Sequence, residues 1–364
     1  MNNWPWGVLT KLNFINEGLL SLENHKDLWI IKKFDPDNER DKIVYMTALS
    51  CIDKSVEVPL SQTWQWNEGL YWCGVSIIFL VNLKQKVMGF FFYDGGEVGS
   101  TNGPIFYENE LIIKSDINTK LALTVQALYQ SLTKAQQKIL TSDQPLKKIT
   151  FKFRFNFSDF QKFSENCQFP IDKVEISATK VIHLRGFGSK EDILKSMKSH
   201  FRNEYQKVHK QLDLGNLKVE FTQDHAKILE FYEGYQIFCQ RKNLPLEPLI
   251  WFLKMPLIMV KGELKNIKKT FALILINAAQ NGAHYLYGYE ETLNQENYSL
   301  NFYLQLEILD YLIKRKINYY DLNGIMLGSE VKNRDHPFWG VNLFKNKFNG
   351  EVKEYHCPQL TFSL

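Results

Sequence analysis

Cysteine is scarce in this chain of 364 residues: Cys51, Cys73, Cys167, Cys239 and Cys357 are odd in number, far apart and free of any CxxC pair or Cys/His cluster. That excludes a disulfide scaffold and a zinc module, and it suits reduced thiols in a cytosol. Long apolar runs are missing too. The longest, Gly69 to Leu83, stops at 15 residues, short of the roughly 20 that a membrane helix needs. Met1 to Phe14 mixes Trp, Pro and Lys with apolar residues and holds no secretory core. The expectation is a cytoplasmic protein without a transmembrane segment. Arginine is rare, seven of the 44 basic residues, and against 40 acidic residues the net charge is only +4, so charge alone names no partner. There is no Walker loop, dinucleotide fingerprint, nucleophile elbow or metal constellation, and no metal is expected.

What is present is a folded composition, 45% apolar and 23% charged, in a chain long enough for two domains. Leu28 to Phe34 and Lys42 to Leu49 read as strands around a turn that carries Pro36. The run from Gly69 is followed by Lys84, Gln85 and Lys86 and then by Val87 to Tyr93, so the span from Val75 to Tyr93 reads as a buried hairpin. A glycine-rich loop with Gly95, Gly96, Gly99 and Gly103 leads to a helical periodicity over Thr119 to Leu140, the strand Lys148 to Phe155, a short helix Ser158 to Cys167 and the strand Val174 to Leu184. Beyond Gly188 the pattern predicts helices over Ser189 to Leu214, Asp224 to Lys242 and Glu247 to Met259, with the strand Leu217 to Phe221 between the first two. The Asn281-Gly282 pair then marks a second hairpin, Phe271 to Tyr289. A helix Ser299 to Lys316, the strand Ile317 to Asp321, a short helix Gly340 to Lys347 and the strand Gly350 to Tyr355 close the chain. Each half repeats hairpin, helix, strand, the order of a duplicated α/β unit.

The last fifty residues are more specific. Tyr319, Tyr320, Asp321, Leu322, Asn323 and Gly324, followed by Gly340 and by Phe344, Lys345, Phe348, Asn349 and Gly350, resemble the signature of the FemAB-like branch of the GNAT acyltransferase superfamily. That signature is an aromatic strand ending in Asp, a glycine shortly after it, and later Gly, Phe-Lys and Phe-Gly-Gly. Asn349 stands where the family has the first glycine of the final pair. Lys198, Phe201, Arg202, Asn203, Lys207 and Lys210 resemble the family's basic helix, which Glu204, Tyr205 and Gln206 interrupt. Gln240, Arg241, Lys242 and Asn243 resemble the polar end of the next helix. The matches keep their order over about residues 150 to 356. The resemblance implies an α/β (α+β) fold of two tandem GNAT-like units, mostly antiparallel sheets covered by helices. The first would span 1–178 and the second 179–349, with the terminal strand 350–364 free to return to the first.

The resemblance implies an acyltransferase that moves an aminoacyl or acyl group from an activated carrier onto an acceptor amine. Such a transfer needs a neutral amine, a place for its proton and stabilisation of the oxyanion, but no covalent nucleophile. In the Phe-Lys context Lys345 is the leading catalytic candidate, an ammonium for a carrier phosphate or a developing oxyanion, against a solvated lysine on a terminal helix. Asp321 would accept the amine proton or orient the acceptor, or else close an Asx turn with Asn323 and Gly324. Arg202 and Lys210 share a helix face suited to a phosphate, with Lys207 nearby, or they form a solubilising surface. Tyr285 and Tyr287 alternate with Leu286, which places both rings on one side of a strand, as cleft lining or as sheet cover. Arg241, Asn323 and Phe344 complete the substrate-binding set. Lys261, Lys265, Lys268 and Lys269 read as a solvated loop, with a weak RNA contact as the other reading.

CoA-dependent GNAT enzymes place a Gln/Arg-x-x-Gly-x-Gly/Ala turn after the hairpin to hold pyrophosphate. Here Glu290 to Tyr298 is acidic and lacks glycine. No tightly bound cofactor is therefore expected. The donor, whether aminoacyl-tRNA, a carrier-protein thioester or CoA, enters as a co-substrate, and the acceptor is a small-molecule or cell-envelope-precursor amine. The partners implied are tRNA or an acyl carrier protein. The rival reading is a catalytically inactive GNAT-derived binding module.

Overall fold

The computed structural model describes residues 29–52, 58–83, 86–94, 97–106, 117–133, 147–265, 267–277, 280–292, 298–336 and 338–363. Expectations for Met1 to Phe14, for the hairpin residues Lys84 and Gln85, for Gly95 and Gly96, for the end of the helix over Thr119 to Leu140 and for residues 293–297 of the acidic stretch lie outside the described residues. The chain divides into two compact units, residues 1–176 with 355–364, and residues 177–354.

The first unit carries β1 (Ile30–Lys33), α1 (Glu39–Cys51), a 3-10 turn (Leu60–Gln62), α2 (Trp64–Trp72), β2 (Ser76–Asn82), β3 (Val87–Asp94), β4 (Glu97–Thr101), β5 (Ile105–Phe106), α3 (Ile117–Thr133), β6 (Lys148–Lys152) and α4 (Phe157–Asn166). The stretch expected as the strand Lys42 to Leu49 is helical instead. Asn38 caps it, its Oδ1 accepting from the backbone N–H of Arg40 at 3.1 Å and of Asp41 at 3.3 Å. Its buried residues Val44, Tyr45 and Ala48 fall at helical spacing. The apolar run Gly69 to Leu83 likewise divides: α2 ends at Trp72, Gly74 turns the chain at φ 85°, and the hairpin starts at Ser76. Two aromatic-rich clusters, one around Phe91, Phe151 and Phe163 and one around Phe34, Trp64 and Phe79, fill this unit.

The second unit contains most of β7 (Lys173–His183), then α5 (Lys190–Ser196), α6 (Ser199–Asp213), β8 (Leu217–Thr222), α7 (His225–Lys242), α8 (Leu249–Lys254), β9 (Leu257–Leu264), β10 (Lys268–Asn277), β11 (Gly282–Thr292), α9 (Leu300–Lys314), β12 (Tyr319–Gly324), α10 (Trp339–Lys345) and the start of β13 (Glu351–Ser363). The single helix expected over Ser189 to Leu214 breaks at Met197 and Lys198, which are extended. The helix expected to reach Met259 stops at Lys254, and β9 follows it. Residues 257–262 are buried on both faces of the sheet, so their pattern shows no alternation to reveal a strand. The lysines read as a solvated loop belong partly to β9 and β10. Lys261 is buried against Glu230 and Glu263, and Lys268 against Glu290.

The strand order repeats. In the first unit it runs β1-β2-β3-β4-β6 and then the end of β13; in the second it runs β8-β9-β10-β11-β12-β7. Successive pairs in both are antiparallel except the fourth, β4 with β6 and β11 with β12, which is parallel and spans a helix, α3 or α9. The first hairpin, β2–β3, thus corresponds to β9–β10. The sequence reading matched it to β10–β11, one strand late, because it divides β9 between a helix end and a loop. In the second unit α9 is apolar nearly all round and packs with α5 and α6 on one sheet face, burying Tyr205, Val208, Ala272, Ile274, Ala283, Leu304 and Leu309. The rings of Phe231, Tyr235 and Phe252, from α7 and α8, cover the other face at Phe271, Tyr287 and Tyr289.

Candidate active site

The parallel pair β11–β12 is short. It joins Gly282, Ala283 and His284 to Tyr319, Tyr320 and Asp321 and goes no further. Both strands are irregular just past that point. On β11 the register with β10 slips between Leu273↔Tyr287 and Ile274↔Tyr285, leaving Leu286 as an extra residue. On β12 Asp321 pairs with Val181 and Gly324 with Thr179, so Leu322 and Asn323 together face Lys180 of β7, and Asn323 takes φ 59°. Two bulges side by side turn the strands apart at their carboxyl ends, the place where parallel strands offer unpaired backbone to a ligand. Asn323 Nδ2 donates to the Tyr285 carbonyl across the opening. In the first unit β4 and β6 stay paired from Glu97↔Lys148 to Thr101↔Lys152, so no such opening forms there.

The bulge at Leu286 also reverses the side-chain parity. Tyr285 pairs with Ile274 and lies on the α9 face, whereas Tyr287 pairs with Leu273 and packs 5.6 Å from Tyr235 and 5.1 Å from Phe252 on the α7–α8 face. The expectation of two rings on one side fails, because an inserted residue shifts the alternation by one. Burial raises the Tyr285 pKa.

Asp321 and Lys345 both come to the end of β12, beside the opening. Asp321 is 5% exposed; its Oδ1 accepts from the Asn323 N–H at 2.7 Å, closing the Asx turn, and its Oδ2 lies 3.7 Å from His284 Nδ1. The turn and a chemical role are therefore compatible, since one carboxylate oxygen holds the bulge and the other faces His284. No spacing rule singles out His284: it comes beside Asp321 only through the pairing of residues 37 apart on two strands. Lys345, from the last turn of α10, is 6% exposed, and its Nζ donates to the Gly324 carbonyl at 2.7 Å. Burial pushes its pKa down to about 8, against the upward pull of the Asp321 carboxylate. It is not a solvated lysine.

The other predicted residues sit elsewhere in the unit. Arg202, at the start of α6, donates to the Met197 carbonyl. Lys207 is exposed with its Nζ 4.6 Å from the Tyr298 ring, Lys210 is exposed one turn on, and Arg241 is exposed at the end of α7. Phe344 packs against the α9-side core, 5.6 Å from Phe348. Asn349 has a structural role in this chain: its Nδ2 donates to the Ser196 carbonyl and fastens the segment after α10 to α5. Among the described residues no three His, Cys, Asp or Glu side chains are grouped as a metal site would require, and no helix is long and apolar enough to cross a membrane.

No family model matches the chain, and no curated protein matches it. Solved structures do. The chain superimposes on FemX with a TM-score of 0.61 at 12% identity, over 86% of this chain and 95% of that one. It matches a conserved protein of unknown function from Bacteroides thetaiotaomicron with a TM-score of 0.52 at 10% identity, covering 90% and 98%. With the C-terminal domain of an assigned lysylphosphatidylglycerol synthetase from Agrobacterium fabrum the TM-score is 0.50 at 11% identity, covering 86% and 92%.

Proposed function

We infer, from the likeness to FemX and from two tandem α/β units of mostly antiparallel sheet, that the protein is of the FemAB-like branch of the GNAT superfamily. From this fold and the residues at the β11–β12 opening, we propose that the protein is an acyltransferase that passes an aminoacyl or acyl group from an activated carrier, aminoacyl-tRNA or a thioester, to an acceptor amine by direct attack. The observation that supports it most is the placing of both Asp321 and Lys345 at the end of β12, where it parts from β11. A carboxylate and an ammonium, both buried, supply the two things the reaction needs besides its substrates. The acceptor nitrogen forms the new C–N bond and gives up a proton to Asp321. Lys345 stabilises the negative charge that builds on the carbonyl oxygen. The carrier's C–O or C–S bond then breaks, and the proton held by Asp321 leaves with the departing oxygen or sulfur, so the carboxylate is restored. An extended acyl chain fits the unpaired strand ends by backbone hydrogen bonding. No resident cofactor enters this scheme, and the acceptor is a cell-envelope precursor or a smaller amine.

The test is transfer itself, followed by mass spectrometry of products formed from aminoacyl-tRNA, acyl carrier thioester or acyl-CoA with a panel of amines. Lys345→Met should lower kcat by at least about a hundredfold with the fold intact, the loss typical of an oxyanion donor. Transfer at the wild-type rate in that variant would remove Lys345 from the chemistry, and absence of any product with all three donor classes would reject the transferase reading.

A further inference from the structure

Four lysines of the second unit are buried, and they fall into two kinds. Lys261 and Lys268 each lie against glutamates. Lys180 and Lys345 have no carboxylate within ion-pair distance among the described residues; their ammonium groups donate to neutral oxygens, Lys180 Nζ to Asn346 Oδ1 at 3.2 Å and Lys345 Nζ to the Gly324 carbonyl at 2.7 Å. Lys180 stands on β7 directly opposite the β12 bulge, so both lysines bracket the same few residues. A third donor joins them. Asn342, one turn before Lys345 and Asn346 on α10, is 2% exposed; its Oδ1 accepts from the Met326 N–H at 3.2 Å, and its Nδ2 has no hydrogen-bond partner among the described residues.

Two buried ammonium groups that no carboxylate pairs directly, Lys345 feeling Asp321 only at longer range, and a buried amide N–H left over are unfavourable, because each has given up water without a full replacement. A ligand that carries negative oxygen removes the deficit from all three at once. We infer that Lys180, Asn342 and Lys345 form a receptor for an anionic oxygen group, a phosphate or a carboxylate, borne by one of the reacting partners. This deepens the transferase reading and rests on it for the identity of those partners. Burial lowers the pKa of Lys180 as well as that of Lys345, where the Asp321 carboxylate pulls the other way. Lys180 is a binding residue in this scheme, distinct from Lys345, which also serves the oxyanion.

The experiment measures binding by calorimetry and by the ligand-induced rise in unfolding midpoint, with inorganic phosphate in one arm and acetate in the other. The proteins are wild type, Lys180→Met, Lys180→Arg and Asn342→Asp. Lys180→Met retains the side chain's bulk and removes a buried charge, so it should fold; Lys180→Arg keeps the charge; Asn342→Asp keeps the acceptor for Met326 and replaces the free donor by a competing anion. At least one anion should bind wild type, about tenfold or more weaker in Lys180→Met and Asn342→Asp, with partial recovery in Lys180→Arg. Phosphate alone identifies a phosphate-bearing carrier, and acetate alone a carboxylate-bearing substrate; both support the receptor. Failure of both anions to bind, or equal binding by wild type and Lys180→Met, overturns it. Binding without transfer by any donor would leave the receptor standing and reject the transferase reading, whereas transfer with unaltered anion binding in Lys180→Met would do the reverse.

Discussion

Lys345 is a buried amine whose protonation bears on stability. Its pKa in the folded protein is about 8, below the 10.4 or so of an unfolded lysine. Between those values the unfolded chain holds more protons, so stability rises with pH there, and the penalty of burying the charge is fully present only below about pH 8. Replacing Lys345 by Met removes the penalty. The variant should therefore be more stable than wild type at pH 7, by up to about 3 kcal/mol, and the difference should shrink as pH rises from 8 to 10. Denaturant melts of both proteins at pH 7, 8, 9 and 10 check this, and a gap that is constant or widens contradicts it. Asp321 allows a cleaner separation of roles. Asp321→Asn keeps an oxygen for the Asn323 N–H and so keeps the turn, but it cannot take a proton. Its unfolding midpoint should stay close to wild type while kcat drops about 10²- to 10⁴-fold; unchanged turnover would assign Asp321 to the turn alone.

At the scale of elements, the two bulges set the geometry of the site. Asn323 sits at φ 59°, bonds across the opening to Tyr285 and leaves the strand free to diverge. Asn323→Val adds a β-branched side chain in the left-handed region and removes that bond, and should cost about 1–3 kcal/mol; Asn323→Gly, with no such strain, should cost less. On β11, a Cβ at Gly288 would lie 2.1 Å from the Tyr285 hydroxyl and 2.8 Å from the Phe271 carbonyl, so Gly288→Ala should destabilise by driving the ring off the α9 face. Chemical melts rank the three variants, and Asn323→Val as stable as Asn323→Gly would mean that the bulge is not strained. These features were not legible in the sequence. Leu286 gives no sign that it is an extra residue, since Tyr-Leu-Tyr alternates well on paper and the slip exists only against β10. The Asp321–Asn323 turn was legible, because an Asx turn is local and its residues are adjacent. The burial of Lys345 was not, because it depends on α10 meeting the end of β12.

For the whole molecule, the repeat was visible as an order of elements but in the wrong register. β9 carries apolar residues on both faces and one lysine, Lys261, neutralised by the distant Glu230, so no local rule marks it as a strand. Once β9 is placed, each unit has a run of six paired strands with one parallel pair, and among the described residues only the second unit opens that pair. On the transferase reading the chemistry would be confined to one of the two units, and the donors it allows would differ in how they are held. A tRNA donor would be bound mostly through phosphates, with counter-ions released from each, so affinity should fall steeply with salt; a thioester offers few phosphates and a shallow slope. Lys207 and Lys210 are the proper residues to remove, since both are exposed, whereas Arg202 is tied to the Met197 carbonyl and its loss would disturb the start of α6. With each donor, binding is measured at several salt concentrations for wild type and for Lys207→Ala with Lys210→Ala. A tRNA surface on α6 predicts a steep slope that the double variant reduces by about two charges' worth, each charge contributing a little under one unit of log affinity per log unit of salt. A steep slope that the variant leaves unaltered would move the RNA surface away from α6, and shallow slopes for every donor would exclude tRNA and leave the thioester.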